Sequence, residues 1–95
     1  MDFEWDEAKN RANICKHGIT FETAQRIFES PFFSILDNRR AYGEERFISI
    51  GKSDNIVVLV VVHTDRNGRT RIISARPASR KERQTYYAKT RQSTH

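Results

Sequence analysis

The feature that most limits the fold is a run of seven apolar residues, Ile56 to Val62, six of them β-branched. Turn residues bracket it: Gly51 to Asn55 on one side and Asn67-Gly68 on the other. A continuous run of this kind reads as a central strand covered on both faces. Seven residues fall far short of the roughly 20 that span a bilayer as a helix. The chain must therefore build a sheet and find cover for both sides of it.

The neighbouring segments supply the rest of that sheet. Asn67-Gly68 is a strong hairpin signal, so Arg69 to Arg76 is expected to pair antiparallel with Ile56 to Thr64. Alternation there places Ile73 and Ala75 on the face of Arg71, and Ile72 and Ser74 on the face of Arg76. Phe32 to Asp37 and Glu45 to Ile50 read as two earlier strands, with a polar stretch from Asp37 to Gly43 between them. Gly51 to Asn55 is the expected next turn.

Helices flank the strands. Asp6 caps a helix running to Lys16, with Glu7 near its positive end, and Gly18 suits the left-handed position that follows. Thr20 caps a second helix to Glu29, with Phe21, Ala24, Ile27 and Phe28 on one face. Pro31 stops it. After Pro77, Ser79 and Glu82 form a capping box for a last helix, Arg80 to Lys89, and Gln92 to His95 read as a frayed tail. The expected class is α+β: two N-terminal helices, a four-stranded antiparallel sheet and a C-terminal helix. The N-terminal helices cover one sheet face, and partial cover of the other leaves a concave basic surface.

At 95 residues, with no repeat and no linker, positions 1–95 read as a single domain. The acidic start, Met1 to Asp6, lacks the basic character of a signal peptide, so the expected compartment is the cytoplasm, with no membrane association. One cysteine permits no internal disulfide and no thiolate zinc cluster. His17, His63 and His95 have no metal-ligand spacing, and phosphate loops and nucleophile elbows are missing. The sequence therefore implies no metal and no cofactor. Cys15 reads as a bystander on its helix.

Charge is the positive clue. Residues 1–47 carry 7 basic and 9 acidic side chains, whereas residues 48–95 carry 10 and 3. Twelve of the 17 basic residues are arginine, whose planar fork suits phosphate and carboxylate. A polyanionic partner follows, either nucleic acid or an acidic protein. Arg69, Arg71 and Arg76 lie on the fourth strand. Arg80 and Arg83 share a face of the last helix, with Tyr86 and Tyr87 beyond them. His63 ends the central strand. Such a set suits metal-free RNA cleavage, in which a 2′-hydroxyl attacks the adjacent phosphate, a histidine moves protons and arginines hold the phosphorane. His63 equally suits a structural role at a strand end, and the tyrosines equally suit packing.

Several motifs in order resemble one family. Phe3-Glu4-Trp5-Asp6, Lys9, Asn13, Lys16-His17-Gly18-Ile19 and Phe21 are similar to the opening of BrnT proteins. Phe28 and Pro31 follow, then Tyr42-Gly43-Glu44-Glu45-Arg46-Phe47 and Ile50-Gly51. Arg71 to Arg76, Ser79-Arg80, Glu82-Arg83 and Tyr86 complete the series, so the resemblance runs from Phe3 to Tyr87. It implies a RelE-like fold and a ribonuclease toxin of a type II toxin–antitoxin pair that blocks translation. It also implies neutralisation by a BrnA-like ribbon-helix-helix antitoxin, operator DNA bound only through that antitoxin, and a dimer of toxin–antitoxin pairs.

The resulting site expectation has Arg76 and Arg80 on the transition-state phosphate and His63 or Tyr86 in proton transfer or positioning. Arg71, Arg83, Arg69 and Lys16 hold the RNA backbone. Lys16 and His17 also close the first helix. The alternative is a non-catalytic module whose basic face holds an acidic antitoxin segment as half of an operon repressor. A degenerate toxin kept for repression is a third reading.

Overall fold

The computed structural model describes residues 1–39, 41 and 43–91. Tyr42 of the motif series and the tail from Gln92 to His95 lie outside the described residues. The elements run β1 (Phe3–Trp5), α1 (Glu7–His17), α2 (Phe21–Ala24), a 3₁₀ segment (Gln25–Glu29), β2 (Phe32–Asp37), β3 (Arg46–Ser53), β4 (Val57–Arg66), β5 (Arg69–Pro77) and α3 (Arg80–Arg91). Among the described residues the strands form one sheet in the order β1-β5-β4-β3-β2.

The four expected strands are present as an antiparallel meander, and β4 lies at the centre of the sheet. The expected count of four is corrected to five. Phe3, Glu4 and Trp5 pair parallel with Thr70, Arg71 and Ile72, which makes the sheet mixed. Three residues are too few to show alternation, and their partner lies near the other end of the chain.

The second N-terminal helix is also revised. Only Phe21–Ala24 is α-helical, and Gln25–Glu29 tightens to 3₁₀ geometry. This segment lies directly over Gly51, where an added Cβ would sit 2.9 Å from the Cβ atoms of both Ile27 and Phe32. Gly51 is therefore part of β3 rather than the start of a turn. The turn moves on to Asp54 and Asn55, both at positive φ. Asn67 and Gly68 also have positive φ, as a primed hairpin turn requires.

Local capping follows the sequence closely. Asp6 Oδ1 accepts from the amides of Ala8 and Lys9, and Thr20 Oγ1 accepts from Thr23. The Ser79 amide donates to Glu82 Oε1 at 2.8 Å, and the Glu82 amide donates back to Ser79 Oγ at 3.2 Å. Gly18 ends α1 at φ 72°.

Two apolar clusters pack the sheet. Phe21, Ala24 and Ile27 meet Leu59, Val61, Ile72 and Ala75. Tyr86 and Ala78 meet Ile50, Val58 and Val60. Strict alternation would put Ile72 and Ala75 on opposite faces. A bulge between them explains their shared cluster: Val62 pairs with Ser74 while His63 pairs with Ile72, so Ile73 is the extra residue. The expected grouping of Ile73 and Ala75 with Arg71 is corrected accordingly.

α1 docks without a strong apolar stripe. Its buried residues are Asn10 and Asn13. Asn10 Oδ1 accepts from the Phe21 amide, and Asn13 bonds both backbone groups of Ala75 and the Ile19 carbonyl. This fixes the C-terminal end of α1 beside the second half of β5. Among the described residues, no helix is long and apolar enough to cross a membrane.

Candidate functional site

The last turn of α1 carries Lys16 and His17, and Asn13 one turn earlier pins that end to Ala75. The next residue of β5 is Arg76. A cleft of about 280 Å³ opens between them, lined by Lys16, His17, Ser74, Arg76 and Arg39, over a floor of Ile48, Val60 and Val62. It lies beside α3 on the incompletely covered face of the sheet, where the sequence places a basic concavity.

The two arginines are held by carboxylates. Arg76 meets both oxygens of Glu82 at 2.8 Å. The same Glu82 belongs to the capping box, so the start of α3 and the aim of Arg76 are fixed together. The Arg76 hydrogen bonds, assisted by the Ser79 amide, hold the Glu82 carboxyl down at about 2. Glu82 in turn raises the Arg76 guanidinium, against burial and the nearby charge of Arg39. Arg39 makes a similar two-point contact with Asp37 at 2.7 and 2.8 Å, and the Asp37 side chain is fully buried. Paired Nη1 and Nη2 donors on Arg76 leave Nε directed away from the carboxylate, available to an anion.

Of the residues singled out from sequence, Arg76 and Lys16 meet at this cleft. Arg80 opens α3 and is exposed. Arg83 donates to the Ala78 carbonyl at 2.9 Å, bracing the corner between β5 and α3. Arg71 pairs with Glu4 of β1 at 2.8 Å. Arg69 is exposed opposite Arg66 in the β4–β5 hairpin. Five residues separate Arg71 from Arg76, roughly 16 Å along an extended strand.

The structure does not bring His63 or Tyr86 to Arg76. Val62 contributes to the cleft floor, and His63, the next residue of the strand, sits among Phe28 and Phe47 in a separate pocket on the other face. Burial pushes its imidazole down, partly opposed by Asp65. Tyr86 is buried under α3, and its hydroxyl donates to the Pro31 carbonyl at 2.9 Å.

Sequence reasoning missed His17 and Arg39 as neighbours of Arg76. The Lys-His-Gly motif was visible, but its helix-ending role was sufficient to explain it. Arg39 lies after β2 in a polar stretch with no periodicity to orient it. The lining of the cleft contains no carboxylate. Among the described residues, no three His, Cys, Asp or Glu side chains gather as a metal site. The lining brings three cationic side chains, two of them paired with Glu82 and Asp37, beside His17.

Comparison with known proteins identifies the family and the fold. The family model described as "Ribonuclease toxin, BrnT, of type II toxin-antitoxin system" matches residues 5–82. The crystal structure of the Brucella abortus ribonuclease toxin BrnT is similar, with a TM-score of 0.63 and 25% sequence identity. The similarity covers 84% of this chain and 99% of that one. No curated protein matches the sequence. The family match runs from the end of β1 through the cleft residues to the carboxylate that clamps Arg76, and the chain belongs to the BrnT family of ribonuclease toxins of type II toxin–antitoxin systems.

Proposed function

We propose that the chain cuts RNA endonucleolytically at the Arg76 cleft, without a metal ion, and thereby blocks translation in the cytoplasm. The observation that carries this reading is the lining itself: Lys16, His17, Arg39 and Arg76 converge from three parts of the chain with no acidic residue among them. Such a lining suits a phosphodiester, with Glu82 and Asp37 holding Arg76 and Arg39 in place behind it. Arg76 and Lys16 hold the scissile phosphate, and Arg39 adds charge behind them. His17 removes the 2′-hydroxyl proton or supplies one to the departing 5′-oxygen, because histidine is the side chain suited to both near neutral pH. The cations stabilise the phosphorane as its negative charge grows. Arg80 and Arg83 extend the cationic track along α3, and Arg69 and Arg71 extend it at the far end of β5.

Membership of a toxin–antitoxin family implies an antitoxin. The proposed partner is BrnA-like, with a ribbon-helix-helix region that dimerises, binds operator DNA and carries two toxins. A RelE-like arrangement fits the sheet flanked by N-terminal helices and a C-terminal helix.

The second reading, a non-catalytic module within a repressor, draws on the Arg76–Glu82 pair, since an arginine already satisfied by a carboxylate is suited to exchange it for an acidic segment of the antitoxin. Controlled expression of the chain alone, with new RNA 5′ ends mapped in the first minutes, separates the two. Growth arrest with new ends, and products carrying 2′,3′-cyclic phosphates, supports cleavage. Normal growth without new ends, at confirmed soluble expression, supports the binding module.

A further inference from the structure

The other face of the sheet carries a second concavity, which cleavage at Arg76 leaves unused. It encloses about 250 Å³ and is lined by Phe28, Phe32 and Phe47 with His63, Ser34 and Asp65 among its polar residues. Drug-sized sites run to roughly 300–1,000 Å³, so this one suits a single flat ring system. Phe32 is 39% exposed on its edge strand. Phe47 stacks on the His63 ring at 5.8 Å, and Phe28 meets that ring edge-on at 5.2 Å.

His63 is only 8% exposed. Its Nε2 lies 2.6 Å from Ser49 Oγ, which lies 2.7 Å from Ser34 Oγ. The other ring nitrogen, Nδ1, is buried and has no hydrogen-bond partner among the described residues. An unpaired buried polar atom is rare in native proteins and calls for an explanation. The pocket also includes Thr70, which pairs with Asp65 across the hairpin. Aromatic rings and a histidine with hydrogen-bonding capacity to spare are among the means by which proteins hold unpaired bases.

The geometry points to a pocket for one unpaired nucleobase of the RNA, stacked against Phe32 and Phe47, with its polar edge toward His63 and Asp65. This rests on the RNA reading above and adds a contact remote from the cleft. The unsatisfied nitrogen and the Asp65 carboxylate, two hydrogen-bonding groups within an aromatic lining, favour the polar edge of a base over a plain aromatic side chain of a protein partner. Access to Nδ1 requires a small turn of the imidazole or of a neighbouring phenylalanine.

Short 2′-O-methyl oligoribonucleotides test this, because they cannot undergo attack by a 2′-hydroxyl. A single 2-aminopurine is moved through them one position at a time, and its fluorescence falls when it stacks. One position is expected to be quenched several-fold at saturation. Phe32→Ser and Phe47→Leu are each expected to restore the fluorescence and weaken binding by about tenfold. Phe32 packs on Phe28 at 4.9 Å, so thermal melts of both variants separate lost stacking from lost folding. Binding without quenching at any position overturns the base pocket alone. Absence of binding by the unaltered chain, even at low salt, overturns the RNA reading and the pocket with it. If Phe32→Ser keeps RNA binding and quenching but abolishes neutralisation by the antitoxin, the pocket belongs to a protein side chain and the inference is overturned.

Discussion

The side-chain amide of Asn13 pairs with the backbone of Ala75 as a neighbouring strand would: Oδ1 accepts from the Ala75 amide at 3.1 Å, and Nδ2 donates to the Ala75 carbonyl at 2.8 Å. β1 pairs with β5 only as far as Ile72. Beyond that point α1 takes over the exposed edge of β5 through this one side chain. The same contact sets Lys16 and His17 beside Arg76, so one asparagine links fold and site.

Asn13→Ala leaves both backbone groups of Ala75 without their side-chain partner. Each buried unsatisfied group costs about 1–3 kcal/mol, so a total loss of about 2–6 kcal/mol is expected in urea unfolding. Cleavage should fall as well, because the end of α1 loses its anchor. A variant as stable as the parent would show that α1 docks by other means.

Arg76→Ala is expected to lower RNA cleavage by about 10²–10³-fold, the usual loss when one preorganised charge stabiliser is removed. Its circular dichroism spectrum should be unchanged. Glu82→Gln retains an oxygen able to accept from the Ser79 amide but loses the charged clamp, and its activity should fall between the two. Full activity in a folded Arg76→Ala protein would exclude the cleft as the site of chemistry.

His17 and His63 should separate cleanly. His17→Ala is expected to reduce the cleavage rate by about 10²–10⁴-fold and to remove one limb of its pH profile. His63→Asn should leave that profile's shape intact and act instead on stability. Steady-state rates across pH, measured with both variants, decide the matter. Loss of the pH limb in His63→Asn alone would reverse the assignment.

Stability should decline in two stages as pH falls. His63 is lowered by burial, so the unfolded chain binds its proton first. Its contribution is present above the ordinary histidine value of about 6.5 and is lost as pH falls through the lowered folded value. Glu82 is lowered to about 2, so its contribution is present above the ordinary carboxylate range and is lost as pH falls toward 2. His63→Asn should flatten the first stage and Glu82→Gln the second in thermal melts between neutral and strongly acidic pH. A melt profile identical in Glu82→Gln and the parent would show that the Arg76 clamp adds no stability.

Gly51→Ala is expected to destabilise by about 1–3 kcal/mol through overpacking. The new methyl would meet Ile27 and Phe32 from 2.9 Å, with the Ile27 carbonyl at 3.1 Å. Guanidinium unfolding of this variant reads the cost directly, and an unchanged midpoint would mean the 3₁₀ segment yields freely.

The features legible in the sequence are those written within a few residues. Asp6, Thr20 and Ser79 with Glu82 cap helices because their partners are two or three residues away. Asn67-Gly68 sets its hairpin for the same reason. β1 was not legible because its partner begins at Thr70. The bulge at Ile73 was hidden because one extra residue reverses every later side chain while leaving composition untouched. Arg76 and Lys16 stood out by charge. His17 did not, because ending a helix before Gly18 already accounted for it. His63 stood out by type, but its face is decided by its position one residue after Val62.

The contacts that assemble the cleft join the two ends of the chain. Phe3 pairs with Thr70, and Asn13 reaches Ala75 across 62 positions. During synthesis, α1 leaves the ribosome long before β5 exists, and it has no apolar stripe strong enough to dock elsewhere. The anchor of Lys16 and His17, and Arg76 itself, arrive only when synthesis has passed the end of β5. A product released early therefore lacks the site altogether instead of carrying a weakened one. Folding must also close its longest loop before the cleft forms, a step that chain entropy makes late. The cleft is thereby confined to chains that carry all of β5.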